Sequence, residues 1–498
     1  MDIVLLSIPR LSIEVPPLNI SQLNSCVKSA GYSSTTIDAN IELYHHLTFE
    51  EWLEVDDYFQ TDLRYTGNDV SHFKRDIKFM EMHDEKLSTL KCRDKYLAFI
   101  ESIAKRILEY SPEWVGISIF SVNSTLPGID FCSAILKINP NQKIVLGGMG
   151  VSSFGVGTRP NYGEFMKVSG LAKDYISGEG EYAIIELLKT GESPFINPQI
   201  EVLDEIPFSD YTDLHLELYP AKDKFFYLTG SRGCVKQCTF CDIQSLWKKF
   251  RWRSAENLVA EFKHLYEKYG AKDFYFTDSL INGNTKEFNK FCSLIVEAKN
   301  SGELPEDLSF GGQWICRPKS TFSEDHYATA SKAGLYNLSI GIESGSDSVL
   351  DSMKKSITRE DYDFQMEMLD KYGIRCNFLM IIGYPSETEE DFQLTMDMFK
   401  DYKKYSDSGT IWGVNLGKTL VILPGAPIGQ APDDFGVHYD EHNNWYNPDI
   451  GLTYDVRLKR RLQAQLLLEE LGYVIKSTVT TINSLYEIKM RGGYDSIA

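Results

Sequence analysis

Three cysteines in one short segment, Cys234, Cys238 and Cys241, give the strongest chemical signal in the sequence. Their spacing of four and then three residues places three thiolates around one compact loop, where they can converge on one centre. Soft thiolate ligands select zinc, copper(I) or iron–sulfur clusters. Structural zinc normally takes four protein ligands, and these three are the only cysteines between Cys132 and Cys292. An iron–sulfur cube held by three cysteines leaves one iron open, and an open iron is a place where a ligand can react.

The pattern Cys-x3-Cys-x2-Cys, with the aromatic residue Phe240 before its last cysteine, resembles the radical S-adenosylmethionine (SAM) superfamily, and the likeness extends over residues 225–427. It implies that Cys234, Cys238 and Cys241 hold a four-iron four-sulfur cluster and that Phe240 contacts SAM, whose amino and carboxylate groups chelate the open iron. It also implies that an electron, delivered by a donor such as flavodoxin or ferredoxin, cleaves SAM to methionine and a 5′-deoxyadenosyl radical. A three-cysteine zinc site with a remote histidine, or a set of unrelated buried thiols, is the alternative.

Polar residues and glycines follow three of the candidate barrel strands, where barrel enzymes place their active-site residues. By the same resemblance, Asp278 and Ser279 are expected to contact the amino group of SAM, with an aspartate where the family often has a glutamate. Glu343 and Ser344 lie in a Gly-Ile-Glu-Ser-Gly segment similar to the one that contacts the ribose and carboxylate of SAM. Gly383 opens a segment similar to the one whose backbone pairs with the adenine edge.

Each of these positions also has a structural explanation in the local sequence. Asp278 suits an Asx turn, and Ser344 or Asp347 suits the cap of the next helix. Ser386, with Glu389 three residues later, predicts a capping box at the start of a helix. Structural and cofactor-binding roles can hold together at these positions.

The elements that position these residues alternate between strands and helices from residue 225 to residue 428. Such alternation predicts βαβ crossovers and a parallel sheet, and about six units suit a partial (β/α)6 barrel. Residues 429–498 are expected to be mostly helical. The candidate strands are Phe225–Leu228, Asp273–Thr277, Leu308–Ile315, Asn337–Ile342, Cys376–Ile382 and Ile411–Leu423.

An earlier alternation predicts a Rossmann-like domain over residues 1–205. The charged and aromatic stretch at about 42–110 predicts a helical insertion in this domain, and residues 206–224, with two prolines and little periodicity, predict a linker. The candidate strands of the domain are Ile3–Ile8, Ser34–Ile37, Trp114–Phe120 and Lys143–Leu146.

This first domain resembles the cobalamin-binding domain that precedes many radical SAM barrels, by its Val-Gly-Ile-Ser segment ending at Ser118 and its Val-Leu-Gly-Gly segment ending at Gly148. The resemblance implies that Ser118, Gly147 and Gly148 contact cobalamin, because glycines at strand ends let the backbone approach a ligand. The Asp-x-His-x-x-Gly motif of base-off, His-on domains is missing, since no histidine lies between Ile8 and Leu18. A Rossmann-like domain that has lost its cofactor and shapes the substrate site is the alternative.

The composition excludes several classes of partner and compartment. Lysine and arginine total 51 residues against 71 aspartates and glutamates, a net charge of −20, and so acidic a surface repels nucleic acid. No apolar run approaches the ~18 residues of a membrane helix, and an N-terminus with Asp2 and no basic residue before its apolar run is unlike a signal peptide. Nine cysteines without an export signal do not predict a disulfide framework. We therefore expect a soluble, cytoplasmic protein with no membrane partner.

Together these features predict an α/β enzyme with a Rossmann-like cobalamin-binding-type domain, a partial (β/α)6 radical SAM barrel and a helical C-terminal region. The predicted activity is C-methylation of an unknown small-molecule or peptide substrate, with the methyl group supplied by methylcobalamin. A radical cyclase, isomerase or oxidase is the alternative within the enzyme class. An iron–sulfur protein that senses redox state or binds a partner without turnover is the alternative from another class.

Overall fold

The computed structural model has a mixed α/β fold built on parallel sheets, which confirms the predicted fold class. Its described residues divide into two compact units, residues 1–201 with 205–220, and residues 202–204 with 225–476. Within this described part of the chain, no helix is long and apolar enough to cross a membrane. The structure describes residues 1–9, 11–60, 72–152, 161–194, 197–220, 225–417, 419–441 and 444–476.

The first unit is built on a five-stranded sheet. Its strands are β1 (Ile3–Ser7), β2 (Ser34–Asp38), β3 (Trp114–Ser118), β4 (Lys143–Gly147) and β5 (Asp174–Tyr175). All neighbours pair in parallel in the order β2-β1-β3-β4-β5. Because the chain turns to opposite sides after β1 and after β2, the carboxyl edge between β1 and β3 is a topological switch point, the usual ligand site of such sheets.

Helices cover this sheet and fill the predicted insertion. They are α1 (Leu18–Ser29), α2 (Ala39–His46), α3 (Phe49–Phe59), α4 (His72–Thr89), α5 (Arg93–Glu109), α6 (Thr125–Ile138), α7 (Tyr162–Val168) and α8 (Gly180–Thr190). Helices α2 to α5 account for the described part of the stretch predicted as a helical insertion. Short 3-10 turns lie at Val122–Ser124, Met149–Ser152, Leu203–Glu205, Leu216–Leu218 and Pro432–Phe435.

A buried polar cluster joins the insertion to the rest of the first unit. The carboxylate of Asp130, on α6, accepts hydrogen bonds from the hydroxyls of Tyr58 (3.1 Å) and Tyr96 (2.8 Å). It also lies 2.8 Å from Nε2 of His83 on α4. Asp130 therefore contacts one side chain from each of α3, α4 and α5.

The stretch predicted as a linker packs against the first unit over its described residues, 206–220. Tyr211 is fully buried, and the Tyr219 hydroxyl donates a 2.6 Å hydrogen bond to Asp38 at the end of β2. Lys28 pairs with Asp213 at 3.0 Å. The segment therefore buries side chains and pairs charges, which its proline content and weak periodicity did not indicate.

The described residues of the second unit include eleven strands, seven of which form one parallel sheet. The strands are β6 (Phe225–Leu228), β7 (Ser231–Arg232), β8 (Arg251–Trp252), β9 (Asp273–Phe276), β10 (Ser309–Trp314), β11 (Leu335–Glu343), β12 (Arg375–Met380), β13 (Ile411–Asn415), β14 (His438–Tyr439), β15 (Trp445–Tyr446) and β16 (Ile475–Lys476). The sheet runs in the order β16-β13-β12-β11-β10-β9-β6, and β7–β8 and β14–β15 are antiparallel pairs. The six predicted barrel strands are present in it. The seventh, β16, is too short to show a pattern in the sequence.

Helices alternate with the barrel strands, as expected for βαβ units. They are α9 (Ile243–Leu246), α10 (Ala255–Tyr269), α11 (Thr285–Asn300), α12 (Glu324–Ala333), α13 (Asp347–Ser352), α14 (Arg359–Lys371), α15 (Glu389–Asp401), α16 (Lys403–Asp407), α17 (Pro427–Gln430) and α18 (Tyr454–Glu470). Of the C-terminal region predicted as mostly helical, residues 477–498 lie outside the described residues. The described part combines the long helix α18 with three short strands, so it is less helical than its composition indicated.

Two predicted element ends differ from the structure. The last barrel strand stops at Asn415 rather than Leu423, because the Asn415 side chain accepts a hydrogen bond from the Gly417 amide (2.8 Å) and turns the chain. Helix α15 is capped by Thr388 and Asp391 rather than by Ser386 and Glu389, with a complete capping box. Both capping patterns exist in the sequence. The structure uses the second, because Glu387 and Thr388 lie outside the helix, which begins at Glu389.

The two faces of the barrel sheet differ in chemistry. On one face, Phe262 of α10 packs on Phe274 with ring centroids 4.2 Å apart, and Phe291 of α11 packs on Phe310 at 5.4 Å. Because side chains alternate between the faces of a strand, the residues between these aromatics point the other way. That second face carries Tyr275, Gln313, Ser339 and Asn377, and the last three stand in register across β10, β11 and β12.

Candidate active site

The cysteine loop follows β6 and starts directly after the short strand β7. Gly233 has φ +90°, and a Cβ at this position would lie 2.7 Å from the carbonyl oxygen of Lys249, so the tight entry to the loop requires glycine. The Gln244 side chain donates hydrogen bonds to the carbonyl oxygens of Cys234 (3.0 Å) and Lys236 (2.8 Å). These hydrogen bonds to backbone carbonyl groups fix the conformation of the loop without using the cysteine thiols, which stay available to a ligand.

The three thiols are half-buried, and positive charges stand near them. Burial raises the pKa of each thiol, that of Cys238 to about 11, while the charge of Lys355 acts in the opposite direction on Cys234 and Cys238. Arg317 and Lys236 also lower the pKa of Cys234, whose sulfur accepts a 3.4 Å hydrogen bond from the Lys236 amide. Metal ligation requires the thiolate form, so these cations favour the state that binds. Among the described residues, no three His, Cys, Asp or Glu side chains converge as ligands of a single ion.

Glu343, at the end of β11, combines burial, an ion pair and backbone strain. Its φ of +65° is in the left-handed region, which costs a side-chain-bearing residue about 1–3 kcal/mol. Its carboxylate lies 3.3 Å from Nζ of Lys355, which also donates a 2.8 Å hydrogen bond to the carbonyl oxygen of Gly341. Burial raises the pKa of Glu343, and Lys355 opposes that shift. Strain held at a buried ion pair is typical of a ligand site.

Asp278 follows β9 and is fully buried. Its two oxygens accept hydrogen bonds from the Gly230 amide (2.7 Å) and the Ser231 hydroxyl (2.6 Å). Burial raises its pKa to about 7, and these two donors act in the opposite direction. These contacts favour a role in holding the turn that leads into the cysteine loop over the predicted contact with the amino group of SAM. Ser279 next to it is half-buried.

The segment after β12 lies beside the cysteine loop. Gly383 has φ +79°, and the Tyr384 hydroxyl lies 2.7 Å from the Thr239 hydroxyl, inside the cysteine loop. The buried Ser386 hydroxyl has no hydrogen-bond partner among the described residues, and such orphaned groups are uncommon in folded proteins. This segment therefore has both the contact with the cysteine loop and the unpaired polar atom expected of a place for a polar ligand.

Two further predicted residues take different positions. Phe240 is half-buried and packs with Val349, Met353 and Tyr384, next to the cysteines. Ser344 is fully buried, and its hydroxyl accepts a 3.2 Å hydrogen bond from the Ser346 amide. Ser344 therefore holds the turn before α13, whose N-cap is Ser346, so neither Ser344 nor Asp347 caps this helix as the sequence suggested.

In the first unit, the predicted residues lie together at the carboxyl ends of β3 and β4. Ser118 and Gly147 are partners in register, and no atom of the described residues lies within 4 Å of the position that a Cβ on Gly147 would take. Gly148 has φ +95°, and a Cβ there would lie 2.6 Å from the carbonyl oxygen of Ile119. Phe120 is 53% exposed at the same edge. Within the described residues, this edge therefore combines bare glycine backbone, an exposed aromatic ring and the Ser118 hydroxyl, which accepts a 2.6 Å hydrogen bond from the Asn19 side chain.

A comparison with protein families decides what the cysteine-bearing barrel is. Residues 228–399 match the family described as the radical SAM superfamily. This part of the chain is a radical SAM domain. The match includes the cysteine loop and every residue discussed above from Asp278 to Gly383, and the superfamily is one of enzymes that use SAM and a four-iron four-sulfur cluster.

Similar proteins extend the likeness beyond the radical SAM barrel. A methyltransferase of Pyrococcus horikoshii, itself described as uncharacterized, is 26% identical over 66% of this chain and 72% of its own length. An anaerobic magnesium-protoporphyrin IX monomethyl ester cyclase of Rubrivivax gelatinosus is 26% identical over 61% of this chain and 56% of its own length. The solved structure of the radical SAM methyltransferase TsrM of Kitasatospora setae, with tryptophan and a SAM analogue bound, superposes with a TM-score of 0.63 at 15% identity. That superposition covers 95% of this chain and 89% of TsrM, so the two share a fold over both units.

Of the residues predicted from the sequence, the barrel brings the cysteine loop, Glu343 and the segment after Gly383 to one edge. Sequence reasoning missed Lys355, which is nearly fully buried beside Glu343. Lys354 and Ser356, on either side of it, both adopt positive φ and form a tight turn that points Lys355 inward, which only the structure shows. In the sequence alone, the Lys-Lys-Ser segment at 354–356 is typical of a charged turn on the surface.

Proposed function

We propose that this radical SAM protein is a cobalamin-dependent C-methyltransferase acting on a small molecule or peptide. The observation that carries the proposal is a second parallel sheet in the same chain, of order β2-β1-β3-β4-β5, with its switch point between β1 and β3. The likeness to TsrM, which has also been solved with cobalamin and a four-iron four-sulfur cluster bound, supports it. So does the likeness to the Pyrococcus methyltransferase.

In the radical SAM unit, each residue has a defined task. Bound together, the cluster and SAM supply a 5′-deoxyadenosyl radical able to remove a hydrogen atom from an unactivated carbon. Cys234, Cys238 and Cys241 hold the cluster, with an electron taken from flavodoxin or ferredoxin. Lys355 offsets negative charge beside the thiolates, and Glu343 accepts hydrogen bonds from the ribose hydroxyls of SAM. Charge-assisted hydrogen bonds of this kind are stronger than neutral ones.

In the first unit, the residues present fit a broad ligand held by backbone and apolar contact. Gly147 leaves open space at the end of β4, and Met149 beside it is 50% exposed. The Ser7 hydroxyl, at the end of β1, is buried without a hydrogen-bond partner among the described residues. Cobalamin supplies the methyl group in this scheme, and the chain offers no histidine between Ile8 and Leu18 as its lower ligand.

Anaerobic reconstitution with iron, sulfide, SAM and hydroxocobalamin tests the proposal. We expect one cobalamin per chain, with an absorption spectrum that lacks a protein imidazole ligand. Turnover with substrate is expected to release both S-adenosylhomocysteine and 5′-deoxyadenosine, because one SAM donates the methyl group and a second makes the radical. If no cobalamin binds, the first unit is a Rossmann-like scaffold and methylation by this route is wrong.

A radical cyclase is the second candidate, since the Rubrivivax cyclase aligns over much of the chain. It predicts a different product pattern from the same experiment. Release of 5′-deoxyadenosine alone, from enzyme fully loaded with cobalamin and given its true substrate, favours a cyclase, isomerase or oxidase over a methyltransferase.

A further inference from the structure

The described C-terminal region makes close contact with the segment Gly383–Glu387. Arg460, on α18, donates hydrogen bonds to the carbonyl oxygen (2.8 Å) and the carboxylate (3.1 Å) of Glu387. The same carboxylate oxygen accepts a 3.1 Å hydrogen bond from the Gly383 amide. Glu387 is completely buried and Arg460 is 5% exposed. The arginine therefore acts through one buried carboxylate on the backbone of Gly383.

Arg457, one turn earlier on α18, contacts the start of the same segment. A Cβ on Gly383 would lie 2.6 Å from Cγ of Arg457, so the arginine stem packs directly on the glycine backbone. Its guanidinium lies 3.6 Å from the centre of the Trp445 ring and donates a 2.6 Å hydrogen bond to the Trp445 carbonyl oxygen. Arg457 is 1% exposed. Its head group is thus fixed, and the stem cannot move away from Gly383.

Asn447 makes the third contact. It is 7% exposed, and its side-chain amide donates a 2.9 Å hydrogen bond to the carbonyl oxygen of Pro385. Its side-chain oxygen accepts a 3.0 Å hydrogen bond from the Asp449 amide, which fixes the orientation of the amide group.

Three side chains that lie 62 to 74 residues beyond their targets therefore contact the first, third and fifth residues of one five-residue segment. A buried ion pair such as Glu387–Arg460 is by itself a weak source of stability, because desolvation offsets its attraction. A buried pair does fix one geometry, since removing either partner leaves a charge unpaired. The three contacts therefore fix one backbone conformation of the segment, and they contribute less to the free energy of unfolding.

We propose that Asn447, Arg457 and Arg460, which we name the C-terminal clamp, position the segment Gly383–Glu387 for the adenine of SAM. The C-terminal region is then part of the SAM site and not a separate substrate-binding module. The inference rests on the proposed function and on the adenine contact that the resemblance to radical SAM enzymes implies for this segment. The three clamp residues are positioning residues, because they act through the segment.

Anaerobic binding measurements on the reconstituted full chain test the clamp. Arg460→Met keeps most of the side-chain volume and removes the donors to Glu387, together with the 3.3 Å contact to the exposed Glu389 carboxylate. We expect it to raise the Kd for SAM about tenfold, with iron content unchanged. Arg461→Met is the matched control, since Arg461 is on the same helix and donates its 2.8 Å hydrogen bond to Gly417 instead. The control is expected to bind SAM like the wild type.

Two partial ligands separate positioning from a general structural defect. 5′-Deoxyadenosine carries the adenine but cannot chelate iron, and its affinity is expected to fall by the same factor in Arg460→Met. Free methionine carries the chelating groups but no adenine, and the change it causes in the electron paramagnetic resonance spectrum of the reduced cluster is expected to persist. Arg460→Lys retains a cation beside Glu387 and is expected to recover part of the SAM affinity.

Asn447→Asp is the second variant, which keeps the clamp falsifiable if Arg460→Met does not fold. It preserves size and the acceptor for Asp449 while replacing the donor to Pro385. A Kd for SAM within twofold of the wild type in the folded variants overturns the clamp, as does an equal loss of methionine and 5′-deoxyadenosine binding. A wild-type protein that holds its cluster but binds no SAM overturns the proposed function and the clamp with it.

Discussion

The two units present the same kind of surface, the carboxyl edge of a parallel sheet, with opposite chemistry. The barrel edge carries thiols, the strained ion pair of Glu343 and Lys355, and further cations near the cysteines. The edge of the first unit carries glycines, the exposed Phe120 and neutral hydroxyls. The barrel edge therefore suits small charged groups held by side chains, whereas the first edge suits a broad ligand held by backbone and apolar contact.

The largest loss of activity is expected at the barrel edge, because SAM cleavage requires a cluster that all three thiolates hold. Alanine at any one of Cys234, Cys238 and Cys241 is expected to abolish reductive cleavage of SAM while leaving the fold intact, since a cube with two protein ligands is poorly held. Iron content and 5′-deoxyadenosine formation measure the effect. Cys292→Ala, a buried cysteine of α11, is the control and is expected to retain both. Normal iron and normal product in all three variants would falsify the cluster assignment.

At the first edge, we expect a single bulky side chain to prevent cobalamin binding. Gly147→Trp places an indole in the open space at the end of β4 and is expected to abolish stoichiometric binding of hydroxocobalamin, read from the visible spectrum after desalting. Asn141→Trp, in the exposed turn that precedes the opposite end of the strand, is the control. Gly148 is a poorer test position, because its φ of +95° and the nearby Ile119 carbonyl make any side chain distort the turn itself. Equal cobalamin loading in Gly147→Trp and the wild type would show that the ligand does not use this edge.

A moderate loss of SAM affinity is expected for one of two carboxylates at the barrel edge and not for the other. Glu343→Gln is expected to weaken SAM binding by about 1.5–3 kcal/mol, the range for a hydrogen bond to a charged group. Asp278→Asn is expected to leave SAM affinity near wild type, because its oxygens are occupied by Gly230 and Ser231. Calorimetry under anaerobic conditions measures both. Weaker binding in Asp278→Asn than in Glu343→Gln would restore the amino-group contact predicted for Asp278 and contradict the structural role.

The smallest effect concerns stability in the first unit. Burial lowers the pKa of His83, but the hydrogen bond and charge of Asp130 outweigh it and hold that pKa above its ordinary value of 6.5. The pair therefore contributes its full stability below pH 6.5, and the contribution is lost as pH rises through the raised pKa. Denaturant unfolding followed by tryptophan fluorescence between pH 6 and 9 is expected to show this decline. His83→Gln should flatten it, and an unchanged slope in that variant would mean that another group titrates.

Much of the fold is visible in the sequence because strand patterns are short-range. The six barrel strands and the first four strands of the N-terminal sheet follow from apolar runs that end in glycine or polar residues. The packing of residues 206–220 is not visible, since it depends on distant partners such as the pairing of Tyr219 with Asp38. Strand β16 is missed for the same reason, because two residues carry no periodicity and pair only where β13 offers an edge.

The candidate site divides in the same way. Ligand types and spacing are local, so the sequence alone determines that three thiolates lie in one loop and that a glycine-rich edge lacks an adjacent histidine. Only the tertiary structure decides which polar residues at strand ends remain available. In the folded chain, Asp278 and Ser344 are engaged in hydrogen bonds that hold turns. Lys355 forms an ion pair with Glu343. Arg457 and Arg460, about 70 residues further along the chain, contact Gly383 and Glu387. The physical reason is that hydrogen bonds and ion pairs depend on distance in space, which sequence separation does not report.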